Sequence, residues 1–121
     1  MGAEPQRAVL VADDDPALRL LCRVNLELDG YRVLEADSAA EVERVLEGDD
    51  VDVLLLDVHL GADDGLQLAK ALRASRPGLG IALFTGSVER RDAWGEIAAG
   101  FLAKPFTLDE LAETVRALAP R

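Results

Sequence analysis

The chain has 121 residues, half of them hydrophobic and 30% charged, which suits one globular domain and excludes a disordered polypeptide. Thirteen basic against 23 acidic side chains give a formal charge of −10, so nucleic acid and anionic membrane surfaces are repelled. The single cysteine, Cys22, excludes an internal disulfide and fits a reducing, cytoplasmic compartment, and neither a signal peptide over Met1–Arg7 nor an apolar run near the ~18 residues of a membrane span is visible.

One domain is expected over 1–121, with 1–6 as a flexible N-terminal extension. Ala8–Ala12 is uninterruptedly apolar and predicts a strand covered on both faces, as in a parallel sheet. Asp15 and Pro16 supply a helix cap and a first helical position. Leu18, Leu21, Cys22, Asn25 and Leu28 then follow near helical spacing, with Gly30 as a stop. Tyr31–Ala36 predicts a weaker strand. Ser38 with Glu41 resembles a capping box ahead of Val42, Val45 and Leu46. Val51–Leu56 is the second strongly apolar strand, and Gly65–Ala74 carries Leu66, Leu68, Ala69 and Leu72 at helical spacing. Gly80–Phe84 and Gly100–Ala103 predict the last two strands. Between them, Ser87–Ala99 has Val88, Trp94 and Ile97 but also Gly95, which predicts a short or irregular helix. Thr107 and Glu110 form a second capping box before Leu111, Val115 and Leu118.

Five strands alternating with about five helices predict a parallel sheet with helices on both faces. Ligands of such sheets bind outside the carboxyl ends of the strands. Those ends carry Asp13-Asp14-Asp15, Asp57, Thr85-Gly86-Ser87 and Lys104-Pro105-Phe106. Crowding carboxylates into one cleft costs Coulomb energy, which a divalent cation and a lysine would offset.

Taken in order, Asp13-Asp14, Leu54-Leu55-Leu56-Asp57, Asp64-Gly65, Thr85 and Lys104-Pro105-Phe106 resemble the receiver domain of two-component response regulators over nearly the whole chain. The resemblance implies an α/β flavodoxin-like (βα)5 sandwich with strand order 2-1-3-4-5. It implies that Asp57 is the phospho-acceptor. Mg2+ would be held directly by Asp14, with Asp57 and the backbone carbonyl of His59 as further ligands and Asp13 acting through water or from behind them. Lys104 and Thr85 would contact phosphoryl oxygens, and Thr85 with Phe101 would form the conformational switch. A cis peptide bond at Lys104-Pro105 is expected by the same resemblance. The implied partners are a histidine kinase or histidine phosphotransfer protein, a downstream protein and a phosphorylation-dependent second copy. Asp15 is expected only to cap its helix, Cys22 to pack in the core and Trp94 to serve packing or an interface. The side chains of His59 and Ser87 would flank the entrance to the acyl phosphate.

Three departures stand out. Gly61 replaces the usual proline, which predicts a more flexible loop, and Gly86 replaces the usual alanine. Only 18 residues, 86–103, separate Thr85 from Lys104, so the fourth helix should be abbreviated and the usual output face altered. Asp57-Val58-His59-Leu60-Gly61 with Thr85-Gly86 also resembles a subset of stand-alone receivers with an aberrant fourth helix. The expected role is a non-enzymatic phospho-receiver that signals by a conformational switch. The alternatives are a module of a longer regulator with a DNA-binding or enzymatic output, and a degenerate receiver that is never phosphorylated. A phosphatase would need an acid at position 59, where His59 stands. A flavin-mononucleotide site would be repelled by Asp13-Asp14-Asp15.

Overall fold

The computed structural model describes residues 6–86 and 94–119. Strands β1 (Ala8–Ala12), β2 (Arg32–Ala36), β3 (Val53–Asp57), β6 (Gly80–Thr85) and β7 (Gly100–Ala103) form one parallel sheet in the order β2-β1-β3-β6-β7. Counting these five strands alone, the order is 2-1-3-4-5, the flavodoxin-like arrangement. Helices α1 (Pro16–Leu28), α2 (Ala39–Gly48), α3 (Gly65–Ser75) and α4 (Leu108–Leu118) cover the two faces.

Strand alternation sorts the apolar residues into two cores. Leu10, Leu54, Leu56, Ile81 and Leu83 pack with Val42 and Leu46 of α2 and Leu68 and Leu72 of α3. Val9, Val11, Val53, Leu55 and Phe84 pack on the other face with Cys22 and Leu26 of α1 and Leu111 and Val115 of α4. β3 is buried along its whole length, Asp57 included, because it lies between β1 and β6. That central place makes its last residue the floor of whatever lies beyond the strand ends.

The helix boundaries follow local chemistry. The Asp15 carboxylate accepts the Ala17 N–H, with Pro16 at the first helical position, and Gly30 takes φ 95° after the end of α1. Thr107 and Glu110 close a reciprocal capping box on α4. At α2 the expected box is only half formed. Ser38 accepts the Glu41 N–H, but the Glu41 carboxylate reaches the Asp37 N–H instead of that of Ser38. On α1 the buried face runs through Cys22 and Leu26, whereas Leu21 and Leu28 point outward, 45% and 80% exposed. The apolar spacing there is compatible with two faces, and the fit against β1 and β2 selects one.

Where a loop is expected after β3, a two-stranded antiparallel ribbon forms from β4 (His59–Leu60) and β5 (Asp63–Asp64). Most of the predicted helix over 87–99, with Ser87 and Val88, lies outside the described residues. From Trp94 the chain makes a turn, with the Ala98 N–H on the Trp94 carbonyl, and enters β7 through Ala99 N–H to Ile81 O.

Candidate acidic site at the strand ends

β1 and β3 are adjacent and parallel, so the residues that follow them emerge side by side. Asp13 is fully buried, Asp57 is 8% exposed and Asp14 is exposed. Each of the three offers a carboxylate oxygen, and these oxygens lie within 4.8 Å of one another. β6 brings Thr85 one residue beyond the level of Asp57, since Asp57 pairs with Phe84. β7 delivers Lys104 from the far side. Its Nζ lies 2.6 Å from Asp13 Oδ2 and 3.0 Å from Asp57 Oδ2.

The lysine is held in several ways. Its N–H donates to the Thr85 carbonyl at 2.7 Å, and the peptide to Pro105 is cis. Its ammonium lies 5.4 Å from the centroid of Phe84, which stacks on Phe106. Burial works against its charge, but the hydrogen bonds to Asp13 and Asp57 outweigh that, and its pKa rises above the usual 10.5. One ammonium, paired with two of them, nevertheless offsets only part of the charge of three carboxylates. The donor set is all oxygen and in net negative excess, which fits a hard divalent cation such as Mg2+.

Backbone contacts fix the acids. Asp13 Oδ1 accepts the Asp15 N–H at 2.9 Å, and the Asp13 carbonyl accepts from Arg19, itself paired with Glu35. Asp57 Oδ1 accepts the His59 N–H at 2.9 Å. With Lys104 on Oδ2, both oxygens of Asp57 are engaged and its carboxylate plane is set. Gly65 permits the close return of the chain, because a Cβ there would fall 2.0 Å from the Asp57 carbonyl oxygen. Thr85 Oγ1 is buried and finds no hydrogen-bond partner among the described residues. A buried hydroxyl without a partner costs about 1–3 kcal/mol.

The sequence-predicted residues Asp13, Asp14, Asp57, Thr85 and Lys104 thus converge. The His59 side chain is exposed, and its carbonyl accepts the Gly61 N–H. Phe101 is half-buried on β7 against the core that contains Leu83. Cys22 is buried and its thiol is pushed up to about 12, first by burial and then by Asp13, so it stays neutral and inert. Arg19 and Gly65 gain roles that sequence reasoning did not give them. Arg19 carried no signal, and Gly65 had one in the Asp-Gly pair opening α3.

The sequence matches the response regulator receiver domain over residues 9–116. The chain belongs to that family. The response regulator MprA of Mycobacterium ulcerans is 37% identical over 120 residues, covering 93% of this chain and 50% of that protein. The transcriptional regulatory protein GlrR of Escherichia coli is 34% identical over 118 residues, covering 95% of this chain and 26% of that protein. The receiver domain therefore spans between a quarter and a half of these curated relatives. Among solved structures, a CheY-like receiver domain protein from Methanospirillum hungatei superposes with TM-score 0.85 at 27% identity, covering 93% of each chain. The response regulator TrrA of Thermotoga maritima, solved in complex with Mg2+–BeF, gives TM-score 0.84 at 28% identity, covering 93% of this chain and 99% of that one. Receiver domains of two-component systems are signalling modules that receive phosphoryl groups from histidine kinases and bind Mg2+ at an acidic pocket. No described helix of this receiver domain is long and apolar enough to cross a membrane.

Proposed function

We propose that this receiver domain takes a phosphoryl group onto Asp57 from the phosphohistidine of a histidine kinase or phosphotransfer protein. The supporting observation is the arrangement of three convergent carboxylates against one bridging ammonium. An Asp57 oxygen attacks phosphorus, a P–O bond forms, and the P–N bond breaks with its electron pair leaving on the imidazole. Asp14, Asp57 and the His59 carbonyl would hold Mg2+, with Asp13 acting through water or from behind them, and the cation would neutralise charge on the transferring group. His59 N–H and Lys104 orient the acceptor carboxylate. Lys104 then follows the new charge, moving its ammonium onto a phosphoryl oxygen.

Thr85 supplies the switch. Its hydroxyl, without a partner among the described residues, would gain one in a phosphoryl oxygen, so the two states differ in free energy at this atom. Phe101, beside Leu83 on the neighbouring strand, reports the change by repacking. Leu20, Leu21, Val24 and Leu28 form an exposed apolar stripe on α1, leading away from the acidic cleft, and suit docking of a donor helix.

The test is intact mass after incubation with Mg2+ and a small phosphodonor. One phosphoryl group should be gained, and none in Asp57→Asn. No gain by the unaltered protein under any Mg2+ or donor condition would favour a degenerate interaction domain instead. A second reading, favoured by the fraction of MprA and GlrR that the chain spans, makes this domain the input module of a longer regulator with a DNA-binding or enzymatic output.

A further inference from the structure

After β3 the chain must leave the sheet, pass the acidic cleft and start α3. It does so as the β4–β5 ribbon, turned at Gly61 with φ +61°, a conformation that favours glycine. The turn sits over the first acidic loop, for a Cβ on Gly61 would lie 3.8 Å from the Asp14 Cβ and 4.0 Å from the Asp37 carbonyl oxygen. One strand of the ribbon is tied to the acceptor by His59 N–H to Asp57 Oδ1. The other is tied elsewhere. Asp63 Oδ2 accepts the N–H of Ala39, the first residue of α2, at 2.8 Å and across 24 positions of sequence.

This contact is a second cap on α2. Ser38 already accepts the Glu41 N–H at the same helix start. A carboxylate is favoured there, because the first N–H groups of a helix lack intrahelical partners and carry partial positive charge. Asp63 is exposed, so water could serve Ala39 equally well. What water could not do is fix the ribbon. Asp63 pairs with Leu60, and its neighbour Asp64 pairs with His59. Anchoring Asp63 on α2 therefore sets where the His59 backbone lies.

We infer that Asp63 is a positioning residue: by docking the β4–β5 ribbon onto the N-terminus of α2, it holds the His59 backbone against Asp57 and the cation-binding carboxylates. The inference rests on reading that cluster as the Mg2+ and acceptor site. Ala39→Pro removes the same contact from the other side. Proline suits the first position of a helix, and Ser38 already has the extended backbone (φ −152°, ψ 162°) that a following proline requires.

The experiment compares Asp63→Ala, Asp63→Asn, Ala39→Pro and the double variant Asp63→Ala/Ala39→Pro with the unaltered protein. Backbone hydrogen exchange, followed by NMR without metal, should quicken about ten-fold at the His59 and Gly65 N–H in both Asp63→Ala and Ala39→Pro, the equivalent of about one hydrogen bond. The double variant should exchange no faster than either single one, Asp63→Asn should stay near the unaltered rate, and Leu55 should not change. Mg2+ titration on the same amide signals should then show half-saturation at several-fold higher Mg2+ in Asp63→Ala than in Asp63→Asn. Those two variants carry equal charge, so the difference isolates the hydrogen bond. Unchanged exchange at His59 and Gly65, effects that multiply in the double variant, or equal Mg2+ half-saturation in the Ala and Asn variants would each overturn the inference. None of these readouts needs phosphoryl transfer. Failure of the unaltered protein to gain a phosphoryl group would thus sink the acceptor reading and leave this one to be decided separately.

Discussion

At the N-terminal end of the sheet, Asp52 knits three strands with satisfied hydrogen bonds. Its carboxylate accepts the Ala8 N–H at 2.8 Å, its N–H donates to the Ala8 carbonyl, and its carbonyl accepts the Gly80 N–H. At the C-terminal end the same three strands finish in buried polar groups with spare capacity. Two carboxylates share one ammonium there, a third stands beside them, and the Thr85 hydroxyl has no partner among the described residues. Both ends are polar, yet one is closed and the other is left open to a ligand. The difference separates an end whose polar groups serve stability from one with the features of a functional site, since unsatisfied buried groups persist in native structures where something else uses them.

The open end depends most on Lys104. Lys104→Gln leaves Asp13 and Asp57 buried without their counter-charge, and chemical denaturation should show a loss of about 2–4 kcal/mol at neutral pH. Added Mg2+ should recover part of that loss by binding the folded form. The pH dependence has a definite sign. Because the folded pKa of Lys104 lies above the usual 10.5, its contribution is fully present below 10.5 and is lost as pH rises through the raised value. The gap between the unaltered protein and Lys104→Gln should therefore hold from neutral pH to about 10 and close above that.

Asp52→Ala tests the closed end. Losing its hydrogen bond to the Ala8 N–H should cost about 1–2 kcal/mol in the same denaturation assay. Phosphoryl gain by intact mass should be unaffected, because no atom of Asp52 faces the cleft. A fall in phosphoryl gain beyond what unfolding explains would blur the division between the two ends.

Thr85→Val gives the smallest effect and the opposite sign. Replacing the orphaned hydroxyl with a methyl of similar volume should leave stability unchanged or raise it by up to about 1 kcal/mol. The phosphorylated form should then differ less from the unphosphorylated one, measured as a smaller change in Trp94 fluorescence on phosphorylation. Destabilisation by more than about 1 kcal/mol would mean that Thr85 is satisfied in solution and belongs with the closed end.

Most of the framework is written in local signals along the chain. Uninterrupted apolar runs at Ala8–Ala12 and Val53–Leu56 and the caps at Asp15, Ser38 and Thr107 are local signals, so the alternation of strands and helices was legible without coordinates. So were the acidic, threonine and lysine positions at the strand ends, because a parallel sheet sends all of them to one edge. Packing against the sheet sets which way the apolar residues of α1 face, since Leu21 and Leu28 satisfy the spacing yet lie outside the core. The tertiary fold likewise has Arg19 supporting the Asp13 backbone, Asp63 reaching Ala39 and Lys104 bridging two acids. Those contacts join residues by the path of the folded chain, and hydrogen-bond geometry fixed to a few tenths of an ångström has no counterpart in residue spacing.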